Sequence, residues 1–216
     1  MLKPFSPFLA EGKSQLVEEF GRDYGTYFSI LELIATGKTS RSEIESILEI
    51  HTGAYLARLE NEYALICRHL PITAKPGGRL LKYFIRDNVL DFWFRFIHRN
   101  HSAVETGNFG YLREVIDRDY ATWSGRLLER FFRDLFAATG RYNHIGNYWE
   151  RGNRNEIDLV AVNDLNKQLL IAEIKRNKSR INLTELELKA RRLLEHYQGY
   201  SVEYRALGLE DAEGFL

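Results

Sequence analysis

Glu156–Lys175 reads EIDLVAVNDLNKQLLIAEIK. Two short apolar runs, LVAV and LLIA, flank the polar turn NDLNK. Runs of this length bounded by turn residues read as adjacent strands. Asp158 stands at the start of the first run, and Glu173 and Lys175 close the second. Neighbouring strands can bring Asp158 and Glu173 together as hard oxygen ligands for a divalent cation. Lys175 lies two residues beyond Glu173, so on a strand it faces the same side. Two carboxylates and a lysine on one sheet are the groups that metal-assisted phosphodiester hydrolysis needs.

The surroundings complete a unit. Upstream, HIGNYWE (144–150) reads as a strand, separated from EIDLVAVN by the turn RGNRN. A long helix is expected from about Tyr120 to Thr139, stopped by Gly140. Downstream, Asn182 or Thr184 can cap a helix running through Tyr197, with Leu183, Leu186, Leu193 and Leu194 among its apolar positions. Gly199 ends it, and YSVEYRALGL forms a last strand. The order α-β-β-β-α-β is a compact α/β unit over 120–216. Tyr197 and Gln198 are expected to line its substrate side.

Residues 1–86 have a different character. A short lead-in carries one helix around Lys13–Phe20. Tyr27, Ile30, Leu31 and Ile34 form a helical stripe that Gly37 terminates. Thr39 or Ser40 can cap a second helix, with Ile44, Ile47 and Leu48 inward. Thr52 can cap a third, GAYLARLENEY, with Tyr55, Leu56 and Leu59 inward. ALICRHL, a turn at Pro76–Gly78 and LLKYFI then read as a hairpin. Three short helices and a hairpin make a winged helix-turn-helix. Its third helix is not strongly basic, because Glu60 and Glu62 offset Arg58. The wing carries Arg68, Lys75, Arg79, Lys82 and Arg86 with no acid among them, a set able to follow nucleic-acid phosphates. Docking to a protein is the other use such a unit has.

Between the two, at 87–119, RDNVLDFWFRFIHRN is apolar on several helical faces, as a buried bridge between domains would be. SAVETGNFGYLREVIDRD is polar and reads as a loop leading into the next helix. His98 and His101 share helical spacing but have no Cys or His cluster nearby, so they read as polar-face residues rather than zinc ligands.

The chain as a whole has 216 residues, 44% of them hydrophobic, enough for a core in each of two domains. Its 30 basic residues balance 30 acidic ones, so any surface for a polyanion must be a local patch. The single Cys67 excludes an intramolecular disulfide and fits a reducing, cytoplasmic home. The start of the chain lacks the long apolar segment of a signal peptide. No apolar run reaches membrane-spanning length, since VLDFWFRFI is short and carries Asp91 and Arg95. GKS at Gly12–Ser14 and GKT at Gly37–Thr39 lack the upstream glycine of a phosphate-binding loop; Pro7 and Glu32 stand there.

The element order, Asp158 at the entry of the second strand and E-I-K at the end of the third resemble the PD-(D/E)XK nuclease superfamily. The whole chain resembles the region that follows the ATPase domain in archaeal-type AAA+ ATPases. There a winged helix leads into a D-x-x-x-x-F-W-x-R-F segment, here Asp87 to Phe96, and then a nuclease-like domain of unassigned function. The resemblance implies an α/β fold (α+β overall): an N-terminal winged helix-turn-helix and a restriction-endonuclease-like domain. It implies Asp158 and Glu173 as metal-binding acids, Lys175 as the catalytic lysine and Glu129 as an accessory acid on the preceding helix. Ile157 stands where the family often has proline. Mg²⁺ or Mn²⁺ is the implied cofactor. DNA is the implied partner, with an ATPase domain acting in cis or in trans, and duplex cutting through one metal site favours a homodimer. The expected activity is metal-dependent DNA cleavage; the alternative is a catalytically silent module that binds nucleic acid or protein and regulates the ATPase.

Overall fold

The computed structural model describes Ser14, residues 16–75, 77–78 and 80–212. It is a mixed α/β structure in two compact units. Residues up to His69 pack with Leu81–Tyr120, and Leu70–Leu80 pack with Ala121 onward. The segment 87–119, expected as a bridge, therefore belongs to the first unit. The tip of the hairpin belongs to the second.

In the first unit, residues 16–20 are helical, and Lys13 and the residues before it lie outside the described ones. Three helices follow: α1 Tyr24–Ala35, α2 Arg41–Leu48 and α3 Gly53–Asn61. Gly37 turns the chain after α1 with φ 99°, the left-handed region open to a residue without Cβ. Ser40 caps α2 through a reciprocal box, its hydroxyl accepting from the Glu43 N–H while the Glu43 carboxylate accepts from the Ser40 N–H. Thr52 precedes α3, but its hydroxyl is buried with no hydrogen-bond partner. Instead its N–H donates to Glu45 Oε1 at 2.9 Å. β1 Ile66–His69 and β2 Lys82–Ile85 pair antiparallel, with Cys67 opposite Phe84. Pro76 of the expected turn lies outside the described residues.

The aromatic segment forms α4 Asn88–Phe92, a π-helical turn Trp93–Ile97 and a short 3₁₀ turn His98–Asn100. The π turn widens the helix by a residue, so Trp93, Phe94, Phe96 and Ile97 are all buried. Trp93, Phe94 and Ile97 pack with Phe28, Ile30 and Leu31 of α1 in one core. Arg95 of this segment donates from Nη1 to the Ala35 carbonyl at 2.9 Å, satisfying one of the last carbonyls of α1. His98 is half-buried and stacks on Trp93 with ring centroids 5.3 Å apart, so it belongs to the packing rather than to a polar face.

α5 His101–Glu105 and α6 Phe109–Ala138 replace the loop expected over 102–119. Asn108 accepts from the Tyr111 N–H at 3.2 Å, and Leu112 and Val115 are buried, so this charged stretch has both a helix start and an inward stripe. Gly140, with φ 64°, ends the helix.

The second unit is a four-stranded sheet, β3 His144–Glu150, β4 Arg154–Asn163, β5 Gln168–Ile174 and β6 Ser201–Leu207, hydrogen-bonded in that order. α7 Leu183–Leu194 joins β5 to β6, which pair in parallel; the other pairs are antiparallel. Asn182 caps α7, accepting from the Thr184 and Glu185 N–H groups. Leu128, Phe132 and Phe136 of α6 cover one sheet face, against Leu159, Ala161, Leu170 and Ala172. Leu186, Ala190 and Leu193 of α7 cover the other, against Val160, Val162, Leu169 and Ile171. Cover on both sides is why β4 and β5 read as continuous apolar runs rather than alternating ones. α8 Leu209–Ala212 closes the described chain.

Candidate active site

Asp158 sits where the sheet is irregular. Gly146 pairs with Val160 but Tyr148 pairs with Ile157, so β4 spends three residues against two of β3. This is a β-bulge, and it breaks the alternation: Ile157 points to the α7 face and Leu159 to the α6 face. Two bonds fix the bulged residue. Its backbone carbonyl accepts from Asn147 Nδ2 at 2.8 Å. Its carboxylate Oδ2 accepts from the Ile174 N–H at 2.7 Å, just beyond the Leu159–Ala172 pair where the β4–β5 ladder stops. The carboxylate thus takes the place of a ladder carbonyl and is held against the strand that carries Glu173.

Glu173 follows Ala172 on β5, on the side of the sheet covered by α7. Its carboxylate is mostly buried, and both oxygens lie 3.3 Å from Lys189 Nζ of α7. Lys175 reaches the same carboxylate at 3.6 Å from an exposed position, and its Nζ also lies 3.5 Å from the Arg180 carbonyl. Sequence reasoning missed Lys189. It follows Leu186 by three residues and precedes Ala190, at the border of the apolar stripe, and that position was its only signal.

Glu129 extends inward from α6, one residue after the buried Leu128. By area Glu129 and Asp158 are half-buried, yet protein crowds both carboxyls and withholds water from them. That desolvation, with the nearby Asp158 charge, pushes the Glu129 carboxyl up to about 8 against the opposing Arg133. Desolvation and the neighbouring Glu173 push Asp158 up to about 7, against the bond from Ile174. Burial in turn lowers the Arg133 guanidinium, which Glu129 partly offsets. Asp158 therefore feels Glu173, and Glu129 feels Asp158. A group of acids that disfavours its own ionisation is the environment in which a cation binds with most gain.

Among the described residues, no three His, Cys, Asp or Glu side chains converge closely enough to hold a metal ion together. Mg²⁺ and its analogues need fewer: one or two carboxylates, with waters and substrate oxygens filling the octahedron. Asp158 and Glu173 are the two neighbouring carboxylates here, and Asp158 in turn acts on Glu129.

Tyr197 and Gln198 lie elsewhere. Tyr197 packs on Tyr200, whose hydroxyl donates to Asp164 in the β4–β5 turn, at the other end of the strands from Asp158. The basic hairpin residues are dispersed. Arg68 pairs with Glu60 at 2.7 Å, Arg86 donates to the Ile66 carbonyl at 2.8 Å, and Lys82 is buried. Lys75 is exposed, and Arg79 lies outside the described residues.

Residues 93–190 match the family DUF234, described as "Archaea bacterial proteins of unknown function". The matched stretch contains the π turn, Glu129, Asp158, Glu173, Lys175 and Lys189. An uncharacterized protein of Methanocaldococcus jannaschii is 32% identical over 199 residues, which cover 88% of this chain. The chain spans 42% of that relative's length. No solved structure matches.

Proposed function

We propose that the second unit is a metal-dependent phosphodiesterase of the PD-(D/E)XK nuclease type acting on DNA, and that the first is a winged helix-turn-helix. The observation that carries this reading is the bulge at Asp158. It aims the half-buried Asp158 carboxylate at the end of the ladder beside Glu173, with Lys175 one residue beyond the strand that carries Glu173. A bulge beside a cluster of acids is a device for aiming a side chain, and it costs ladder bonds that a purely structural strand would keep.

In this reading Asp158 and Glu173 hold Mg²⁺ or Mn²⁺ and Glu129 supports the shell. The bound cation would polarise a phosphoryl oxygen and lower the pKa of a bound water. Lys175, exposed at the rim, places positive charge where negative charge accumulates on the phosphoryl group. Arg126 and Arg133 of α6, both acting on Glu129, and Lys189 add the local positive field that a chain of zero net charge must concentrate to meet a polyanion. The deciding experiment is Mg²⁺- and Mn²⁺-dependent cleavage of labelled single-stranded, duplex and branched DNA. Activity lost in Asp158→Ala supports the reading; no cleavage by the wild type on any substrate defeats it.

A second reading has its own observation. Lys189 and Lys175 already neutralise Glu173 without any metal. A silent module that binds nucleic acid or protein and regulates an AAA+ ATPase in cis or in trans would keep such an arrangement. It predicts that Asp158→Ala leaves binding intact.

A further inference from the structure

The two edges of the four-stranded sheet are built differently. β3 has two register shifts against β4, and its Asn147 carbonyl accepts from the Ile72 N–H at 2.8 Å. Irregularity and a covering segment are two ways in which proteins blunt an exposed strand edge. β6 has neither among the described residues. It pairs with β5 in unbroken register from Ser201 to Leu207. Its bonds to β5 run through alternate residues: the Ser201 N–H donates to the Lys167 carbonyl, and the Leu207 carbonyl accepts from the Lys175 N–H. By that alternation the N–H and C=O groups of Val202, Tyr204 and Ala206 point away from the sheet. Among the described residues, nothing hydrogen-bonds to them.

The side chains on this edge are self-complementary. Glu203 and Arg205 share the sheet face of Leu207, reach solvent and pair with each other at 2.6 Å. Val202 and Tyr204 pack on the α7 face. A second copy of β6 lying antiparallel to the first must set outward residues against outward residues. A twofold axis at Glu203 would place that carboxylate against its own copy, and an axis at Arg205 would oppose two guanidiniums. An axis at Tyr204 sets Glu203 opposite the partner's Arg205, and Arg205 opposite the partner's Glu203. It is also the register in which Val202, Tyr204 and Ala206 all find outward partners. The charged pairs then fall at the sites without hydrogen bonds, where facing side chains come closest. Each charge keeps its neighbour along the strand and gains an opposite one across it. The two Tyr204 rings add an aromatic cross-strand pair.

We infer that β6 is the interface of a homodimer, pairing antiparallel with β6 of a second copy about a twofold axis at Tyr204. The contact is isologous, so it closes at two chains. It does not depend on the proposed nuclease site, because Asp158, Glu173 and Glu129 take no part in it.

The test is sedimentation velocity of the full chain over a concentration series. A reversible monomer–dimer equilibrium is expected. Glu203→Arg and Arg205→Glu each set like charges opposite one another twice, by symmetry, and each should weaken the dimer by about tenfold or more. The double variant Glu203→Arg/Arg205→Glu restores opposite pairs in the same register and should restore the dimer. Unchanged circular dichroism would show that the three variants fold. A monomer at every concentration, a dimer indifferent to both single reversals, or a double variant no tighter than the singles overturns the inference.

Discussion

Asp158 and Glu129 make the second unit pH-sensitive in a definite direction. Their carboxyls sit at about 7 and about 8 in the folded chain, above the ordinary values of 3.8 and 4.5. The folded state therefore binds more protons than the unfolded state between those limits. The stability this contributes is complete below pH 4 and is lost as pH rises through 7 and 8. Asp158→Asn removes one such group while keeping an oxygen that can accept from Ile174. Without metal, the variant should be more stable than wild type at pH 8, by on the order of 2 kcal/mol, and lose that advantage at pH 4. Thermal melts at the two pH values check this; a variant less stable than wild type at pH 8 would sink it. Lys189 gives a second prediction. Its ammonium and a divalent cation compete for the same two Glu173 oxygens. Lys189→Met should tighten Mn²⁺ binding by about tenfold, roughly one neighbouring charge's worth. Unchanged or weaker binding by calorimetry would show that Lys189 is no competitor. Asp158, Glu173 and Lys175 were legible in the sequence because their spacing on two strands is local. Lys189 was not, because contact between a strand end and a helix flank leaves no spacing to read.

At the level of elements, legibility followed burial. HIGNYWE was read as a strand to the residue, and β4 and β5 nearly so, because cover on both faces makes them apolar throughout. α6 was expected to start near Tyr120 and starts at Phe109. Its first turns bury only a thin stripe, Leu112 and Val115, between charged residues, so the helical period is diluted. The bulge was invisible for a different reason: a run apolar on both faces has no alternation for an extra residue to disturb. Asn147 pins that bulge through its bond to the Asp158 carbonyl. Asn147→Ala should cost about 1 kcal/mol in urea unfolding, the usual worth of such a bond, and should also weaken Mn²⁺ binding. Equal Mn²⁺ affinity in the variant would mean that the bulge does not position Asp158. Arg95 plays the corresponding part in the first unit, where one guanidinium joins the π turn to the end of α1. Arg95→Met preserves much of the stem but not the bond, and a loss of about 1.5–3 kcal/mol is expected on denaturation. A loss within error of zero would assign the segment's stability to its aromatics alone.

At the scale of the whole molecule, what decides contact with a polyanion is which of its cations are already committed. Basic and acidic residues are equal in number, 30 of each. The hairpin read from sequence as a five-residue basic set. In the structure Arg68 is committed to Glu60, Arg86 to the Ile66 carbonyl, and Lys82 is buried. Sequence shows the charge of a residue but not its commitments, and Glu60 meets Arg68 only because α3 and β1 pack together. Each phosphate neutralised contributes about −0.9 to the slope of log K against log salt. If the chain binds duplex DNA through the proposed wing, the slope should be shallow, roughly −2 to −3, and Lys75→Glu should flatten it by about one contact. Arg68→Glu should change it less, because Glu60 already occupies that guanidinium. Fluorescence anisotropy across a salt series reads all three slopes. A steep wild-type slope that survives Lys75→Glu would place the DNA on other cations, and the arginines of α6 around Glu129 would be the next to reverse.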